Sequence, residues 1–176
     1  MKITQDYLAL NRELHARGEY GVSGSRWAPT VLQVADMLGT RDILDYGCGQ
    51  RTLEQALGFA IRNYDPCIAG LDAPPAPADL VVCTDVLEHI EPACVDDVLD
   101  DLQRLTLQAA LLVIANRPAK KTLPDGRNAH LIQQGREWWQ VRLAVRFSIH
   151  QAGGNDSELV FIVRRKVTRF GSFPVY

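Results

Sequence analysis

The chain is short of three things: excess basic charge, paired cysteines and long apolar runs. Lysine and arginine number 19 against 21 aspartates and glutamates, a net charge of −2. Proteins that hold nucleic acid by bulk electrostatics carry a basic excess, so a nucleic-acid partner is disfavoured. Arg164, Arg165, Lys166 and Arg169 do cluster near the C-terminus, but they read as charges on an exposed edge strand. The four cysteines, Cys48, Cys67, Cys83 and Cys94, form no Cys-x-x-Cys pair and no zinc-ligand spacing, which excludes a disulfide scaffold and a zinc ribbon. Residues 1–6 have no apolar signal core, and no stretch is long enough to span a bilayer. A reduced, cytoplasmic chain without a membrane partner is expected. Nothing bears on oligomeric state.

What is present is ordinary globular material. With 176 residues, 47% of them hydrophobic, one domain buries a core without disulfide or metal staples. We expect a single domain over 1–176: a helical cap at 1–39, a core at 43–163 and a tail at 164–176. There is no internal repeat, and the only biased segment is Ala73-Pro74-Pro75-Ala76-Pro77.

The period of the apolar residues changes along the chain. Tyr7, Leu8, Leu10, Leu14 and Ala16 predict a first helix over 6–17, followed by a Gly-rich turn at 18–24. Pro29 opens a second helix, whose apolar face is Val31, Leu32, Ala35 and Leu38 and which Gly39 stops. Ile43-Leu44-Asp45-Tyr46 then reads as a short buried strand, 52–58 as a helix and 60–64 as a second strand. Leu80-Val81-Val82-Cys83 is a β-rich run of the kind found in central parallel strands. Residues 95–107 predict an amphipathic helix, with Val95, Val98, Leu99, Leu102 and Leu105 on one stripe. A buried strand at 111–115 and a helix at 137–143 follow. Strands at 145–149 and 159–163, joined by Gly153-Gly154-Asn155-Asp156, close the chain as a hairpin. Alternating strands and helices imply a three-layer α/β sheet, mostly parallel, with an antiparallel C-terminal edge.

In such sheets ligands bind beyond the carboxyl ends of the strands, at the topological switch point. The first strand delivers Asp45-Tyr46-Gly47-Cys48-Gly49 there, and glycines let backbone approach a ligand closely. The second strand ends in Asn63-Tyr64-Asp65-Pro66, where a carboxylate can accept both hydroxyls of a ribose.

Here the chain resembles the class I S-adenosylmethionine-dependent methyltransferases, over roughly 43–163. Ile43 to Gly49 is similar to the family's first motif, and Tyr64-Asp65-Pro66 to its ribose-binding acidic motif. The most specific likeness is Asp79-Leu80-Val81-Val82-Cys83-Thr84-Asp85-Val86-Leu87-Glu88-His89-Ile90, which resembles the family's fourth strand and the turn after it. A NAD site fits less well, since that last string has no place in one. The resemblance implies a Rossmann-like methyltransferase sandwich, a reduced connection between its second and fourth strands, and S-adenosylmethionine as cofactor. It implies cofactor contacts from Asp45, Gly47, Cys48, Gly49, Asp65, Pro66, Asp85 and Val86, with an adenine pocket from Cys67, Ile68, Thr84 and Val86. Two departures stand out. Arg51 replaces a third glycine common in relatives, where it either crowds the methionine end or grips its carboxylate. The connection 65–79 is also too short for the usual helix and third strand.

Methyl transfer from a sulfonium chiefly needs an in-line approach; a protonated oxygen or nitrogen nucleophile also needs a base or a metal. His89, His130 and Asp85 are the expected catalytic residues. The Asp-x-x-Glu-His spacing also resembles the divalent-metal pattern of ubiquinone-pathway O-methyltransferases and small-RNA 3′-end 2′-O-methyltransferases, making Asp85, Glu88, His89 and His130 candidate ligands. Many relatives use a similar Glu-His pair only to brace the loop, so a metal is not favoured. The polar stretch 120–130 reads as an acceptor-binding lid or a solvated loop, with Arg127, Lys120 and Lys121 suited to an anionic acceptor. One ring of Trp138-Trp139 is expected in the core and the other at the pocket wall, while His15 and His150 read as incidental. Asn116-Arg117-Pro118-Ala119 lacks the pattern of adenine-N6 enzymes, and no Pro-Cys nucleophile for cytosine is present. Methyl transfer to an oxygen or nitrogen of a small-molecule acceptor is the expected function. The alternative is an inactive scaffold or binding protein that retains the fold.

Overall fold

The computed structural model describes residues 1–16 and 21–166. Five α-helices and six strands are found among them. Helix α1 (Gln5–Ala16) and α2 (Ala28–Leu38) precede β1 (Ile43–Tyr46), α3 (Thr52–Leu57), β2 (Arg62–Tyr64) and β3 (Ala78–Thr84). Then come α4 (Val95–Leu105), β4 (Thr106–Ala115), α5 (Arg136–Arg146), β5 (Phe147–Asn155) and β6 (Glu158–Arg165). The sheet order is β2-β1-β3-β4-β6-β5. The first four strands are parallel, and β6 runs antiparallel between β4 and β5.

Alternation along the central strands sorts side chains onto two faces. Val81 and Cys83 of β3, with Ala110, Leu112 and Ile114 of β4, pack against α4 and α5. Leu80, Val82, Leu111 and Val113 face the other way, against α2 and α3. This is the three-layer sandwich that the alternating pattern predicts. The stretch expected as one helical cap divides between two roles. Val31, Val34 and Ala35 place α2 within a layer, whereas α1 sits apart, with Tyr7 and Leu14 against Leu123.

The sheet has six strands, because the connection from Asp65 to Ala78 forms no strand. It closes instead as a tight loop, with the Asp65 N–H donating to Leu71 O at 2.9 Å. Several boundaries differ from expectation. Helix α4 stops at Leu105, where Thr106 turns extended and its hydroxyl donates back to Leu102 O at 2.7 Å. The next strand therefore begins at Thr106, five residues before its apolar run shows it. In the hairpin, Gly153, Gly154 and Asn155 belong to β5 and the turn is Asp156-Ser157, held by Asn155 Oδ1 accepting from the Ser157 N–H and hydroxyl at 2.9 and 2.8 Å. Strand β6 is interior, so Arg164 and Arg165 end an inner strand and β5 forms the edge. Arg169 lies outside the described residues, as do residues 17–20 of the expected first helix and turn.

Candidate functional site

At the carboxyl end of β1 the backbone turns sharply. Gly47 and Cys48 both donate their N–H to Tyr64 O, at 2.7 and 3.0 Å, which pins the turn to the end of β2. Gly47 has φ +80°, and a Cβ there would come within 2.4 Å of Val86 Cγ2, so the position admits only glycine. Gly49, at φ +50°, is covered by Gly21, whose carbonyl oxygen would lie 2.5 Å from an added Cβ. The N-terminal segment thus closes directly over the glycine turn. Asp65 is buried beside it: Oδ2 accepts from the Gly49 N–H at 3.1 Å and Oδ1 from the Cys67 N–H at 2.9 Å. His15 Nε2 lies 4.0 Å from Asp65 Oδ2. Burial lowers the His15 pKa, and the Asp65 charge opposes that.

The carboxyl ends of β3 and β4 build the other half. After β3, Asp85 adopts φ +55°, and a 3-10 turn at Leu87–His89 carries Glu88 inward and His89 toward the cavity. After β4 the chain folds into a small hairpin-like loop in which Thr122 bridges Asn128, and Asn128 exchanges side-chain hydrogen bonds with the Ala119 backbone at 2.9 Å. This loop is locked onto the Glu88-His89 turn. His89 Nδ1–H donates to Ala129 O at 2.8 Å, and the Ile132 N–H donates to Glu88 O at 2.9 Å. His130 Nδ1–H donates to Arg117 O at 2.6 Å. In both neutral imidazoles the lone pair is therefore on Nε2. The two rings meet edge to face at 4.6 Å, and His130 Nε2 is 4.0 Å from Glu88 Oε1. Burial, then His130, pushes the His89 pKa down to about 3, and burial lowers that of His130. Burial, then the Asp85 charge, raises Glu88 to about 8.

A cavity of about 580 Å³ runs between the two halves. Gly47, Gly49, Asp65 and Pro66 line one end, and Asp85, Val86, His89 and His130 the other. Helix α1 straps across it: the Tyr7 hydroxyl, kept protonated by a burial-raised pKa of about 12, donates to His89 O at 2.5 Å. Ahead of α1, the Thr4 N–H and hydroxyl both donate to Glu91.

Not every expected residue reaches the cavity. Asp45 and Cys48 are buried behind the turn and line neither this cavity nor the adjoining hollow. Burial, then Asp65 and Glu54, raises Asp45 to about 7, and its place beneath the turn suits support of the glycines. Thr84 is likewise buried and lines neither, while Ile68 lines the hollow and Cys67 both. Arg51 is exposed, has φ +57° and borders only the hollow, so it neither crowds nor faces the main cavity. Arg127 pairs with Asp125 at 2.7 Å instead of entering the cavity; Arg117, Lys120 and Lys121 line it. Trp138 does not wall the pocket. It stacks with Arg142 at 3.5 Å, beside the fully buried Trp139. Tyr7, Asn11, His15 and Arg26 line the cavity without having been foreseen. Only their place on the α1 strap and the turn after it brings them there. Helical spacing alone carries no hint of that docking.

The candidate metal ligands divide. Glu88, His89 and His130 offer ligand atoms that all lie within 4.8 Å of one another. Asp85 is outside that group; its carboxylate lies 3.7 Å from Arg26, which also pairs with Glu158. Glu88 is fully buried, and neither of its carboxylate oxygens makes a hydrogen bond. A carboxylate and two imidazoles are residue types that can hold a divalent transition metal.

No protein-family model and no curated protein matches this sequence. Solved structures do match. The Burkholderia thailandensis 1,6-didemethyltoxoflavin-N1-methyltransferase, with 1,6-didemethyltoxoflavin and S-adenosylhomocysteine bound, is 16% identical, over 95% of this chain and 92% of its own, with a TM-score of 0.64. DhpI in complex with S-adenosylhomocysteine is 15% identical, over 92% and 98%, with a TM-score of 0.65. The 16S rRNA methylase RmtB is 16% identical, over 94% and 77%, with a TM-score of 0.52. The chain has the fold of the class I S-adenosylmethionine-dependent methyltransferases. No helix among the described residues is long and apolar enough to cross a membrane.

Proposed function

We propose that this chain transfers a methyl group from S-adenosylmethionine to an oxygen or nitrogen atom of a small, anionic acceptor. The observation that carries this reading is a single cavity joining a ribose-type carboxylate, Asp65, to a histidine pair. Its volume lies in the range of small-molecule sites. In this reading Asp65 accepts from the ribose hydroxyls and Cys67 borders the nucleoside. The turn at Gly47 and Gly49, with Val86, receives the methionine part. The structural neighbours with bound S-adenosylhomocysteine support that cofactor, and the toxoflavin enzyme with its bound acceptor supports a small molecule.

The acceptor then lies toward His89, His130 and Asp85. Arg117, Lys120 and Lys121 give that end a positive field, which selects for a carboxylate, phosphate or other anionic group. In the transfer, the nucleophile forms a bond to the methyl carbon as the carbon–sulfur bond breaks. Sulfur keeps the electron pair, which leaves S-adenosylhomocysteine. The acceptor's proton departs toward the Asp85 carboxylate and the His130 imidazole, while His89, whose pKa burial holds far below neutrality, positions the acceptor. The α1 strap and the locked loop exclude water and hold the approach in line, which is the main contribution a protein makes to this reaction.

The test is formation of S-adenosylhomocysteine on incubation with pooled small hydroxylated and amino acids and phosphates. A pool that yields it above the no-acceptor blank supports the reading. Turnover with neutral acceptors alone would remove the anionic assignment.

A further inference from the structure

We propose that His15 is a cofactor-binding residue: its Nε2 and Asp65 Oδ2 together hold one ribose hydroxyl, so that α1 closes over the nucleoside. This rests on the cofactor reading and adds to it a partner from outside the sheet. His15 is carried on the last turn of α1, and its Nε2 stands 4.0 Å from Asp65 Oδ2. That is too far for a direct hydrogen bond, yet it is a span that one oxygen atom bridges. Two hydrogen bonds of about 2.8 Å meeting at one hydroxyl put their outer atoms roughly 4 to 4.6 Å apart. Asp65 has room for such a ligand. Each of its oxygens accepts one backbone N–H, from Gly49 and from Cys67, and a carboxylate oxygen accepts two hydrogen bonds. A hydroxyl both donates and accepts, so it donates to Oδ2 and accepts from the imidazole. Burial, the larger influence, lowers the His15 pKa against the pull of Asp65, and a neutral imidazole still has one N–H to give.

The competing account is that His15 only fastens the strap to the sheet through a long ion pair. A histidine whose pKa burial lowers is a poor cation for that purpose. The strap is also fastened elsewhere: Thr4 donates to Glu91 and Tyr7 to His89 O, and past α1 the Gln50 N–H donates to Gly21 O at 2.9 Å. The ring itself is held in place, since a Cβ on Gly21 would lie 3.1 Å from His15 Cε1. Its position is equally telling. His15, Gly49 and Cys67 line both the main cavity and the adjoining hollow. A sugar at that junction leaves room on either side for the groups it joins, a base in the hollow and the methionine part in the cavity. Because His15 sits on α1, release of the cofactor requires this end of the helix to lift.

The test is calorimetric titration of the parent and of His15→Ala with S-adenosylhomocysteine and with its 2′-deoxy and 3′-deoxy analogues. Alanine is the best helix former, so α1 persists in the variant. His15→Ala should bind S-adenosylhomocysteine about three- to tenfold more weakly, the scale of one hydrogen bond. With at least one deoxy analogue, the one lacking the bridged hydroxyl, that loss should vanish. Such a cancellation marks a direct contact, because the residue and the hydroxyl then act as one pair. His15→Leu, which keeps more of the bulk without the N–H, should behave as His15→Ala does. The proposal is overturned if either variant binds S-adenosylhomocysteine as the parent does. It is also overturned if the variants lose equally on all three ligands, as a merely structural role requires. A parent that binds no S-adenosylhomocysteine removes the cofactor reading and this inference together. A parent that binds it, with no selective loss in the variants, removes only the role of His15.

Discussion

At the β1–β2 end of the cavity the recognition surface is mostly backbone, and at the β3–β4 end it is mostly buried ionisable side chains. Gly49 and Gly21 let main chain pack on main chain, Gly47 lies against the Val86 side chain, and the carboxylate lining that end, Asp65, has both oxygens engaged by backbone N–H groups. At the other end, Glu88 is buried without a hydrogen bond, and its neighbouring imidazoles are held neutral by burial. A satisfied carboxylate in a preformed backbone cradle suits binding of one fixed ligand. Unsatisfied groups clustered in a low-dielectric pocket suit chemistry, where their cost is offset only when a reacting partner or ion is present.

That contrast predicts separable losses. The largest falls at the acceptor end: His89→Ala and His130→Ala should each lower methyl transfer at least about a hundredfold, as loss of a positioned group does. Affinity for S-adenosylhomocysteine in the same variants should stay within about twofold. Equal loss of both quantities would break the division of the cavity. Next, Asp65→Ala should weaken S-adenosylmethionine binding roughly tenfold, about 1.4 kcal/mol, the scale of a lost charge-assisted interaction. A competition assay on the folded variant reads this directly.

The strap links the two ends and gives a smaller effect. Tyr7→Phe removes the donor to His89 O, and should cost about 1 kcal/mol, a fall of roughly 2–4 °C in the melting temperature. No change in melting would mean that α1 does not hold the histidine turn. The smallest effect is expected at Arg51. A non-glycine residue at positive φ is strained by roughly 1–2 kcal/mol, and glycine relieves that while adding chain entropy. Arg51→Gly should therefore change stability by less than about 1 kcal/mol, and cofactor affinity by less than about twofold. A larger shift in affinity would bring Arg51 back into the cofactor site.

The alternation of strands and helices and the glycine turn were legible because they rest on local period and on glycine, both of which a sequence displays directly; the interior place of β6 was not. The run 80–90 resembles a family motif, and the residues that follow its strand, Asp85, Val86 and His89, line the cavity. The convergence of Glu88 with His130 was legible only by resemblance, since 42 positions separate them and a locked loop brings them together. The start of β4 was hidden because Leu107 and Gln108 are exposed there and break the apolar signal. His15 read as incidental because nothing on its own helix distinguishes it; docking of α1 across the sheet end brings it to Asp65. Arg127, read as suited to an anionic acceptor if its loop is a lid, pairs instead with Asp125 two residues away, in a turn whose geometry the sequence does not display.

Calorimetric titration of the purified chain with S-adenosylhomocysteine bears most directly on the central claim. The account predicts saturation at one molecule per chain, with a dissociation constant well below about 1 mM, which corresponds to roughly 4 kcal/mol. Absence of saturable binding up to that concentration would contradict it.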